Sequence, residues 1–377
     1  MVTAKSNHAV RIVTPPEPYA GRLAGLRGVL GRRKVDAAFI SNPHDQFYLT
    51  GFTGEDGAVL VTGRQVWLLT DGRFAEQAER EAPWAKALIR KGGLAKATGD
   101  LAARLRVGKL LVQSETVTLE MAAGLKKALA KGTKIVRAGG VVRQMRVTKS
   151  RQEVEAIRAA IRIGEQAFEV LRRKVRPGMT EAEAAALVEY EMKKRGASGP
   201  SFPTIAAVDG NAALPHYRPG AAVIPKNGLL LVDWGARVGE YCGDLTRVLL
   251  IGRIRSRIRQ MYQAVLDAQL TAIAAIQPNI PCRDIDRAAR NVLKKAGLGK
   301  YFVHGLGHGL GIEVHEAPRL SYNSSETLEP GMVVTVEPGV YIPGLGGVRI
   351  EDDVVVTEAG CEVLSRLDKR MEWARVG

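Results

Sequence analysis

Two stretches of the sequence place acidic residues on otherwise apolar strands. Asp233 follows the run LLLV, and Glu337 follows the run VVTV. In each stretch a glycine-containing turn leads into a second apolar, β-branched strand, and these returning strands carry Asp244 and Glu351. An unpaired charge in a protein interior is very costly. A fold that buries the two strand pairs must therefore bring the four carboxylates to positively charged partners.

Two kinds of partner could satisfy these carboxylates. A structural interpretation pairs Asp244 with Arg247 and Glu351 with Arg349, which are close by in the sequence. Four acids in two matching strand pairs favour a second interpretation, in which carboxylates that would repel one another share metal cations. Two divalent ions about 3.5–4 Å apart would satisfy the set. Oxygen-rich ligands suit manganese, with cobalt or zinc as alternatives.

A histidine- and glycine-rich segment supplies further candidate ligands. The segment HGLGHGLGIEVHE, residues 304–316, holds three of the six histidines of the chain and four glycines. Glycine brings no side chain to a core and loses the most backbone entropy on folding, so the run predicts that the backbone approaches something closely. The candidates are a metal, an anion or a catalytic constellation. Because four carboxylates are already candidate metal ligands, we expect one of the histidines to be a metal ligand as well.

The length and the local patterns predict two domains. A chain of 377 residues is long for one core. Residues 1–18 are expected to form a flexible arm, residues 19–146 an α/β domain that contains a β-hairpin at 58–70, and residues 147–377 an α+β domain. In the second domain four helices are predicted, one of which begins with the capping-box spacing of Thr180 and Glu183.

Composition excludes several classes of protein. No apolar stretch is long enough for a membrane helix, and the N-terminus lacks the apolar core of a secretory signal. Three cysteines without a CxxC pair indicate reduced thiols and a cytoplasmic protein. The formal charge of +16 attracts phosphate polymers. Because the basic residues are spread along the chain and aromatic residues are only 5%, a solvated basic surface is favoured over nucleic-acid binding.

Five residues in this order resemble the ligand set of the pita-bread metallopeptidases; they are Asp233, Asp244, His308, Glu337 and Glu351. Three segments resemble the proline-specific branch of that family, the Xaa-Pro aminopeptidases and prolidases: NAALPHYRPG, HGLGHGLGIEVHE and VEPGVYIPGLGGVRIEDD. The segment FISNPHDQFYLTGFTG is similar to part of that branch's creatinase-like N-terminal domain. The resemblance implies a creatinase-like α/β domain followed by an α+β pita-bread catalytic domain.

The resemblance also implies how the ligands are shared between two divalent ions in each subunit. Asp244 and Glu351 would bridge both ions, Asp233 would hold one ion, and His308 with Glu337 would hold the other. A hydroxide that bridges the metals would attack the scissile carbonyl. Manganese is the favoured metal.

Further roles carried over from the family concern the substrate. Glu337 would shuttle the proton from water towards the leaving proline nitrogen. His315 and His216 would bind the substrate and stabilise charge on the carbonyl oxygen. His304 and Arg349 would line the pocket or support the ligands, although His304 could instead cap local backbone. One of Asp352 and Asp353 would support the ligands. Asp353 is two residues after Glu351, so in a strand both side chains would lie on the same face.

The function implied is removal of an N-terminal residue that precedes proline, as by an Xaa-Pro aminopeptidase. The alternatives are a prolidase that acts only on Xaa-Pro dipeptides, and a non-catalytic pita-bread protein that binds nucleic acid or protein through its basic surface. Intact ligands argue against the non-catalytic alternative. A methionine-removing aminopeptidase fits the ligands but not the N-terminal domain. By analogy with relatives, a homodimer that takes peptides with proline at the second position is expected.

Overall fold

The computed structural model describes residues 15–376, so most of the predicted arm at 1–18 lies outside the described residues. These residues divide into two compact units, one that ends at Arg146 and one that begins at Val147. Across residues 15–376, the helices are all too short or too polar to span a membrane.

The first unit contains a mixed six-stranded sheet in the order β4-β3-β2-β1-β5-β6. Its strands are β1 (Ala37–Ile40), β2 (Gly57–Thr62), β3 (Val66–Asp71), β4 (Lys86–Arg90), β5 (Lys109–Gln113) and β6 (Lys134–Ala138). Its helices are α1 (Tyr19–Arg33), α2 (Pro43–Thr50), α3 (Ala75–Glu81), α4 (Leu94–Arg104), α5 (Leu119–Ala128) and α6 (Val141–Arg146). The predicted hairpin is confirmed, since β2 and β3 pair antiparallel. Strand β1 is buried at all four positions, as expected for a central strand covered on both faces.

The helices of the second unit are α7 (Arg151–Lys174), α8 (Glu181–Lys194), α9 (Ser256–Ala274), α10 (Cys282–Lys295) and α11 (Met371–Ala374). The predicted capping box at Thr180 and Glu183 is confirmed and begins α8. A second capping box at Ser150 and Glu153 begins α7. Helix α7 buries one apolar face, on which Phe168 stacks against Trp234 with ring centroids 4.1 Å apart. Capping and burial of this face explain why α7 is stable over 24 residues.

The strands of the second unit are short and numerous. The earlier ones are β7 (Gly199–Pro200), β8 (Ile205–Val208), β9 (Gly228–Trp234), β10 (Ala236–Val238), β11 (Tyr241–Cys242) and β12 (Leu245–Ile251). The later ones are β13 (Gly307–Gly309), β14 (Glu316–Leu320), β15 (Val333–Val336), β16 (Gly339–Ile342), β17 (Gly346–Arg349), β18 (Asp352–Thr357), β19 (Gly360–Val363) and β20 (Arg375–Val376). Two sheets carry the acidic strand pairs, in the orders β20-β12-β9-β8 and β14-β13-β15-β18-β19.

Each acidic strand pair is interrupted by a small hairpin where the sequence predicted a turn. Strands β10 and β11 lie between the paired strands β9 and β12. Strands β16 and β17 lie in the same way between the paired strands β15 and β18. The prediction of a simple turn was wrong because these inserted strands are only two to four residues long, too short to show an apolar alternation of their own.

Strand β17 packs directly against the 3₁₀ helix Asp209–Ala213 through Gly347. A Cβ atom at Gly347 would lie 1.9 Å from the carbonyl oxygen of Ala212. Because that neighbour is backbone, it cannot rotate away, and one of the two segments would have to move.

We therefore expect Gly347→Ala to lower the free energy of unfolding by about 1–3 kcal/mol, as overpacked cores do. The measurement is urea denaturation of the metal-free protein. Gly210→Ala is the matched control, because a Cβ atom there meets nothing within 4 Å. Equal stability of the two variants would show that the 3₁₀ helix and β17 are not in close contact.

Candidate metal centre

The acidic residues predicted from the strand pairs lie where those strands begin or end. Asp233 is the penultimate residue of β9, and Asp244 directly precedes β12. Glu337 directly follows β15, and Glu351 directly precedes β18. An isolated bridge between Thr246 and Glu351 joins the two sheets at this point. The sheet topology therefore brings all four carboxylates to one junction.

His308 completes a tight group at this junction. Ligand atoms of Asp244, His308 and Glu351 all lie within 4.8 Å of one another. The Nε2 atom of His308 lies 3.3 Å from Oε1 of Glu337 and 3.7 Å from Oδ2 of Asp244. Its Nδ1 atom lies 3.1 Å from the carbonyl oxygen of Gly309. Because a carbonyl can only accept, Nδ1 carries a hydrogen, and Nε2 is the ring nitrogen that faces the carboxylates.

The arginines do not pair with the acids nearest in sequence, so that structural interpretation was wrong for both pairs. Arg349 Nη2 donates to Asp233 Oδ2 at 2.6 Å, and not to Glu351. Arg247 Nη2 donates to Asp352 Oδ1 at 2.7 Å, and not to Asp244. Among residues 15–376, Asp244 and Glu351 form no salt bridge with an arginine or a lysine.

Burial and crowding leave these carboxylates short of positive charge. Burial raises the pKa of Asp244 well above its usual value, and repulsion from Glu351 and Asp233 raises it further. Burial and repulsion from Glu337 and Asp233 do the same for the pKa of Glu351. Asp233 also has a raised pKa, chiefly because it is buried, and its Oδ1 atom has no hydrogen-bond partner. A divalent cation would relieve this repulsion and coordinate the orphaned oxygen.

Glu337 and His308 form the one strongly stabilised pair in the group. Burial alone would raise the pKa of Glu337, but the hydrogen bond and the positive charge of His308 outweigh it and lower the pKa to about 2. Burial would likewise lower the pKa of His308, but the hydrogen bond with Glu337 raises it. The raised pKa favours a proton on the Nε2 atom, which faces the acids. A cation bound there would replace that proton.

The side chains that support the acids include several that the sequence did not single out. The Thr246 hydroxyl donates to Oε2 of Glu351 at 2.6 Å and accepts from Nε of Arg349 at 3.0 Å. The Thr335 hydroxyl accepts the backbone N–H of His308 at 3.1 Å and lies 3.3 Å from Oε1 of Glu337. Both threonines lie on acid-bearing strands, but threonine is so common in strands that its presence carries no signal.

The two acids after Glu351 have different partners. Asp353 Oδ2 accepts the backbone N–H of Asp244 at 3.1 Å, so it is Asp353 that contacts a member of the acidic group. Asp352 is held by Arg247 and by Lys369, whose charges outweigh burial and lower its pKa. Arg247 Nη1 also donates to the carbonyl oxygen of Glu351. The strand parity of Asp353 with Glu351 is consistent with its position.

Two glycines of the 304–316 segment lie directly against neighbouring backbone. A Cβ atom at Gly307 would lie 2.0 Å from the carbonyl oxygen of Thr335, and one at Gly309 would lie 2.1 Å from that of Ala317. Strand β13 lies between β14 and β15, so these glycines let three strands approach closely beside His308.

The three remaining candidate histidines differ in their contacts. His304 donates from Nδ1 to the carbonyl oxygen of Gly305 at 2.7 Å, and its Nε2 accepts from the Tyr341 hydroxyl at 2.9 Å. That hydroxyl in turn accepts from Nη1 of Arg349 at 2.7 Å. His304 therefore both caps local backbone and joins the Arg349 network, and burial lowers its pKa.

His315 lies beside the metal-ligand candidates, with its ring centroid 4.4 Å from that of His308. Burial and the positive charge of His308 lower the pKa of His315, and the charge of His216 contributes in the same direction. His216 is exposed, in the loop that follows the 3₁₀ helix Asp209–Ala213. Both imidazoles are exposed and can offer a ring N–H as a hydrogen-bond donor.

One exposed cation was missed by the sequence analysis. Arg319 lies directly opposite His308 in the pairing of β13 with β14, so both side chains are on the same face of the sheet. Its charge also contributes to the lowered pKa of His315. The strand alternation around Arg319 would have revealed this position only if the register with β13 had been known.

Comparisons with known proteins identify a protein family for each of the two units. Residues 155–358 match the model of metallopeptidase family M24, and residues 22–148 match that of the creatinase/prolidase N-terminal domain. These matches confirm the expected fold class, a creatinase-like α/β domain followed by an α+β pita-bread domain.

Three solved structures are similar over nearly the whole chain. An Xaa-Pro dipeptidase from Bacillus anthracis is 34% identical with a TM-score of 0.90, covering 93% of this chain and 99% of that one. An X-Pro aminopeptidase from Thermotoga maritima MSB8 is 35% identical with a TM-score of 0.84, covering 89% and 97%. A prolidase from Pyrococcus horikoshii OT3 is 32% identical with a TM-score of 0.86, covering 92% and 99%.

The charge balance of the site predicts how Asp244→Asn will behave. The raised pKa means that the folded state favours protonated Asp244. Ionisation of Asp244 therefore lowers the stability of the metal-free protein as the pH rises from the usual pKa of an aspartate to its raised pKa in the folded protein. At neutral pH we expect metal-free Asp244→Asn to be at least as stable as the wild type. The stabilisation by saturating Mn²⁺, about 2.7 kcal/mol at a hundredfold excess over Kd, should be lost.

Differential scanning fluorimetry with and without Mn²⁺, after treatment with a chelator, measures both effects. Asp267→Asn is the control, since Asp267 is an exposed acid on α9. A full Mn²⁺-dependent rise in Tm in Asp244→Asn would contradict the assignment of Asp244 to the metal centre.

Proposed function

Because the chain belongs to metallopeptidase family M24, we propose that it hydrolyses the peptide bond that precedes proline. Membership of this family implies the use of a divalent metal. The observation that carries the proposal is the junction of four carboxylates and His308, in which Asp244 and Glu351 have no arginine or lysine partner within residues 15–376. The preference for proline is taken from the similar structures named as Xaa-Pro dipeptidase, X-Pro aminopeptidase and prolidase.

We propose five metal ligands for two divalent ions, with manganese as the native metal. Asp244 and Glu351 come from different strand pairs and lie together at the junction, which supports them as the shared ligands. Asp233 would complete one site, and His308 with Glu337 the other. When bound, the ions would acidify the attacking water and polarise the scissile carbonyl.

The protein's own groups would move the protons. The Glu337 carboxylate lies beside His308 at the junction, so it would accept a proton from water at Oε1 or Oε2. It would then pass that proton to the proline nitrogen as the C–N bond breaks, and proline leaves as a neutral secondary amine. The imidazoles of His315 and His216 would donate hydrogen bonds to the carbonyl oxygen as its negative charge grows.

We propose Xaa-Pro dipeptides as the favoured substrates, in place of the longer peptides expected from the sequence. A dipeptide places a free carboxylate on the residue after the scissile bond. Arg319 is an exposed guanidinium on the same face as His308, and arginine binds carboxylates well. The names of the Bacillus anthracis and Pyrococcus horikoshii structures agree with this choice. The Thermotoga maritima X-Pro aminopeptidase supports the second candidate, cleavage of longer peptides.

We also propose a homodimer in a reducing, cytoplasmic compartment. The dimer rests on analogy with proteins that share the creatinase-like N-terminal domain. The compartment is supported by three unpaired thiols, at Cys242, Cys282 and Cys361.

Hydrolysis of three matched peptides tests the function. The chelated protein would be reloaded with Mn²⁺, Co²⁺ or Zn²⁺ and given Ala-Pro, Ala-Pro-Ala and Ala-Ala-Ala. We expect Ala-Pro to be cleaved fastest, Ala-Pro-Ala more slowly and Ala-Ala-Ala not at all. A folded, metal-loaded protein that cleaves none of the three would contradict the proposed function.

Arg319→Gln separates the two substrate lengths in the same assay. Loss of a charge-assisted hydrogen bond should lower kcat/KM for Ala-Pro by about tenfold or more, with a smaller effect on Ala-Pro-Ala, whose middle residue has no free carboxylate. Arg283→Gln, an exposed arginine on α10, is the control. Equal losses on both peptides would remove the argument for a dipeptidase.

A further inference from the structure

The position of His216 depends on the loop that carries it. This loop runs from the end of β8 to residue 220, and the His216 side chain is exposed. Within residues 15–376 the imidazole has no hydrogen-bond partner. We therefore expect the backbone of this loop to position the imidazole.

A buried carboxylate joins the two ends of this loop. Glu181, the first residue of α8, is fully buried. Its Oε1 atom accepts the backbone N–H of Val208 at 2.8 Å and the side-chain amide of Asn211 at 2.9 Å. Its Oε2 atom accepts the backbone N–H of Gly220 at 3.2 Å. The carboxylate therefore fastens the start and the end of the loop to one point on a helix.

The same carboxylate is connected to the residue next to His216. The side-chain amide of Asn211 lies 2.9 Å from the Tyr217 hydroxyl. Burial and a hydrogen bond with Glu181 raise the pKa of that hydroxyl. Tyr217 is thus tied to Glu181 through Asn211.

Other contacts hold only parts of the loop. Asp209 Oδ1 accepts the N–H of Leu229 at 3.0 Å, which fixes the beginning of the loop to β9. The N–H of Ala182 donates to the carbonyl of Gly220 at 3.0 Å, which fixes its end to α8. Residues 214–219 lie between these two anchors, and the Glu181 carboxylate with its Asn211 and Tyr217 contacts links the anchors across them.

We propose that Glu181 is a positioning residue that orders the 208–220 loop and so presents His216 to the substrate. This role deepens the proposed peptidase function and rests on it. Glu181 forms no salt bridge among the described residues, and its carboxylate charge is satisfied instead by N–H donors of the loop. A carboxylate is needed because two separate oxygens must both accept.

A double-mutant cycle tests whether Glu181 acts through His216. In Glu181→Gln one oxygen becomes an NH₂ group that cannot accept, so a buried loop N–H loses its partner. We expect kcat/KM on Ala-Pro to fall about tenfold. In a His216→Ala background the same substitution should change kcat/KM less than about twofold, because the two residues act as one unit.

Glu183→Gln is the matched control. It lies on the same helix and is exposed, and among residues 15–376 its hydrogen bonds are those to Thr180 in the capping box, which glutamine can also form. We expect its kcat/KM to equal that of the wild type. Additive losses from Glu181→Gln and His216→Ala would overturn the proposal. If Glu181→Gln does not fold, Tyr217→Phe removes the hydroxyl alone and should lose about threefold, again only when His216 is present.

Hydrogen exchange of the metal-loaded protein supplies a measurement that does not depend on activity. Glu181→Gln should speed exchange in peptides that cover 208–220 and leave β9, β12 and the control variant unchanged. Unchanged exchange in the loop would overturn the proposal even if activity falls. A wild-type protein that cleaves no Xaa-Pro peptide would instead overturn the proposed function, and loop exchange would then decide on its own whether Glu181 orders the loop.

Discussion

The mutual repulsion of buried carboxylates is the constraint on which the second unit depends. Two antiparallel strand pairs meet at the Thr246–Glu351 bridge and bring four acids to one junction. Burial removes the water that would solvate them, and crowding adds repulsion, so the pKa values of Asp244 and Glu351 rise well above their usual range. Such an arrangement survives in a folded protein when a cation offsets it. The fold therefore favours binding of the divalent metal that catalysis would use.

The neighbouring cations relieve this repulsion only in part. Arg349 forms a salt bridge with Asp233 and is linked through the Tyr341 hydroxyl to His304. Arg247 neutralises Asp352 and binds the carbonyl oxygen of Glu351, so it fixes the peptide of a proposed ligand without touching its carboxylate. The two arginines stabilise the residues around the metal centre. The carboxylates of Asp244 and Glu351 remain available for metal.

The sequence predicted the elements with local signals and missed those set by register. The β2–β3 hairpin, the capping box at Thr180 and the acids on apolar strands all depend on near neighbours in the chain. The inserted hairpins, by contrast, are too short to have a period. The partners of Arg247 and Arg349 depend on how strands of two sheets align, and an arginine reaches across a sheet more readily than along its own strand.

The glycines of the 304–316 segment show the same limit. Their number predicted close approach, but only the positions of β14 and β15 show that the approaching groups are carbonyls of Thr335 and Ala317. Glu181 was not singled out from the sequence, because nothing there indicates that its carboxylate meets a loop 27 residues away. Roles of this kind require the fold, since they are made by contacts between distant segments.

The most direct test of the metal centre is anomalous diffraction from crystals of the chelated protein soaked in Mn²⁺. Data collected on both sides of the manganese absorption edge would locate bound ions without assumptions about activity. We predict two anomalous peaks enclosed by Asp233, Asp244, His308, Glu337 and Glu351, and none in Asp244→Asn crystals at the shared position. If the five side chains are ordered but no anomalous peak appears between them at saturating Mn²⁺, the account is contradicted, because the buried carboxylates would then be stable without a cation.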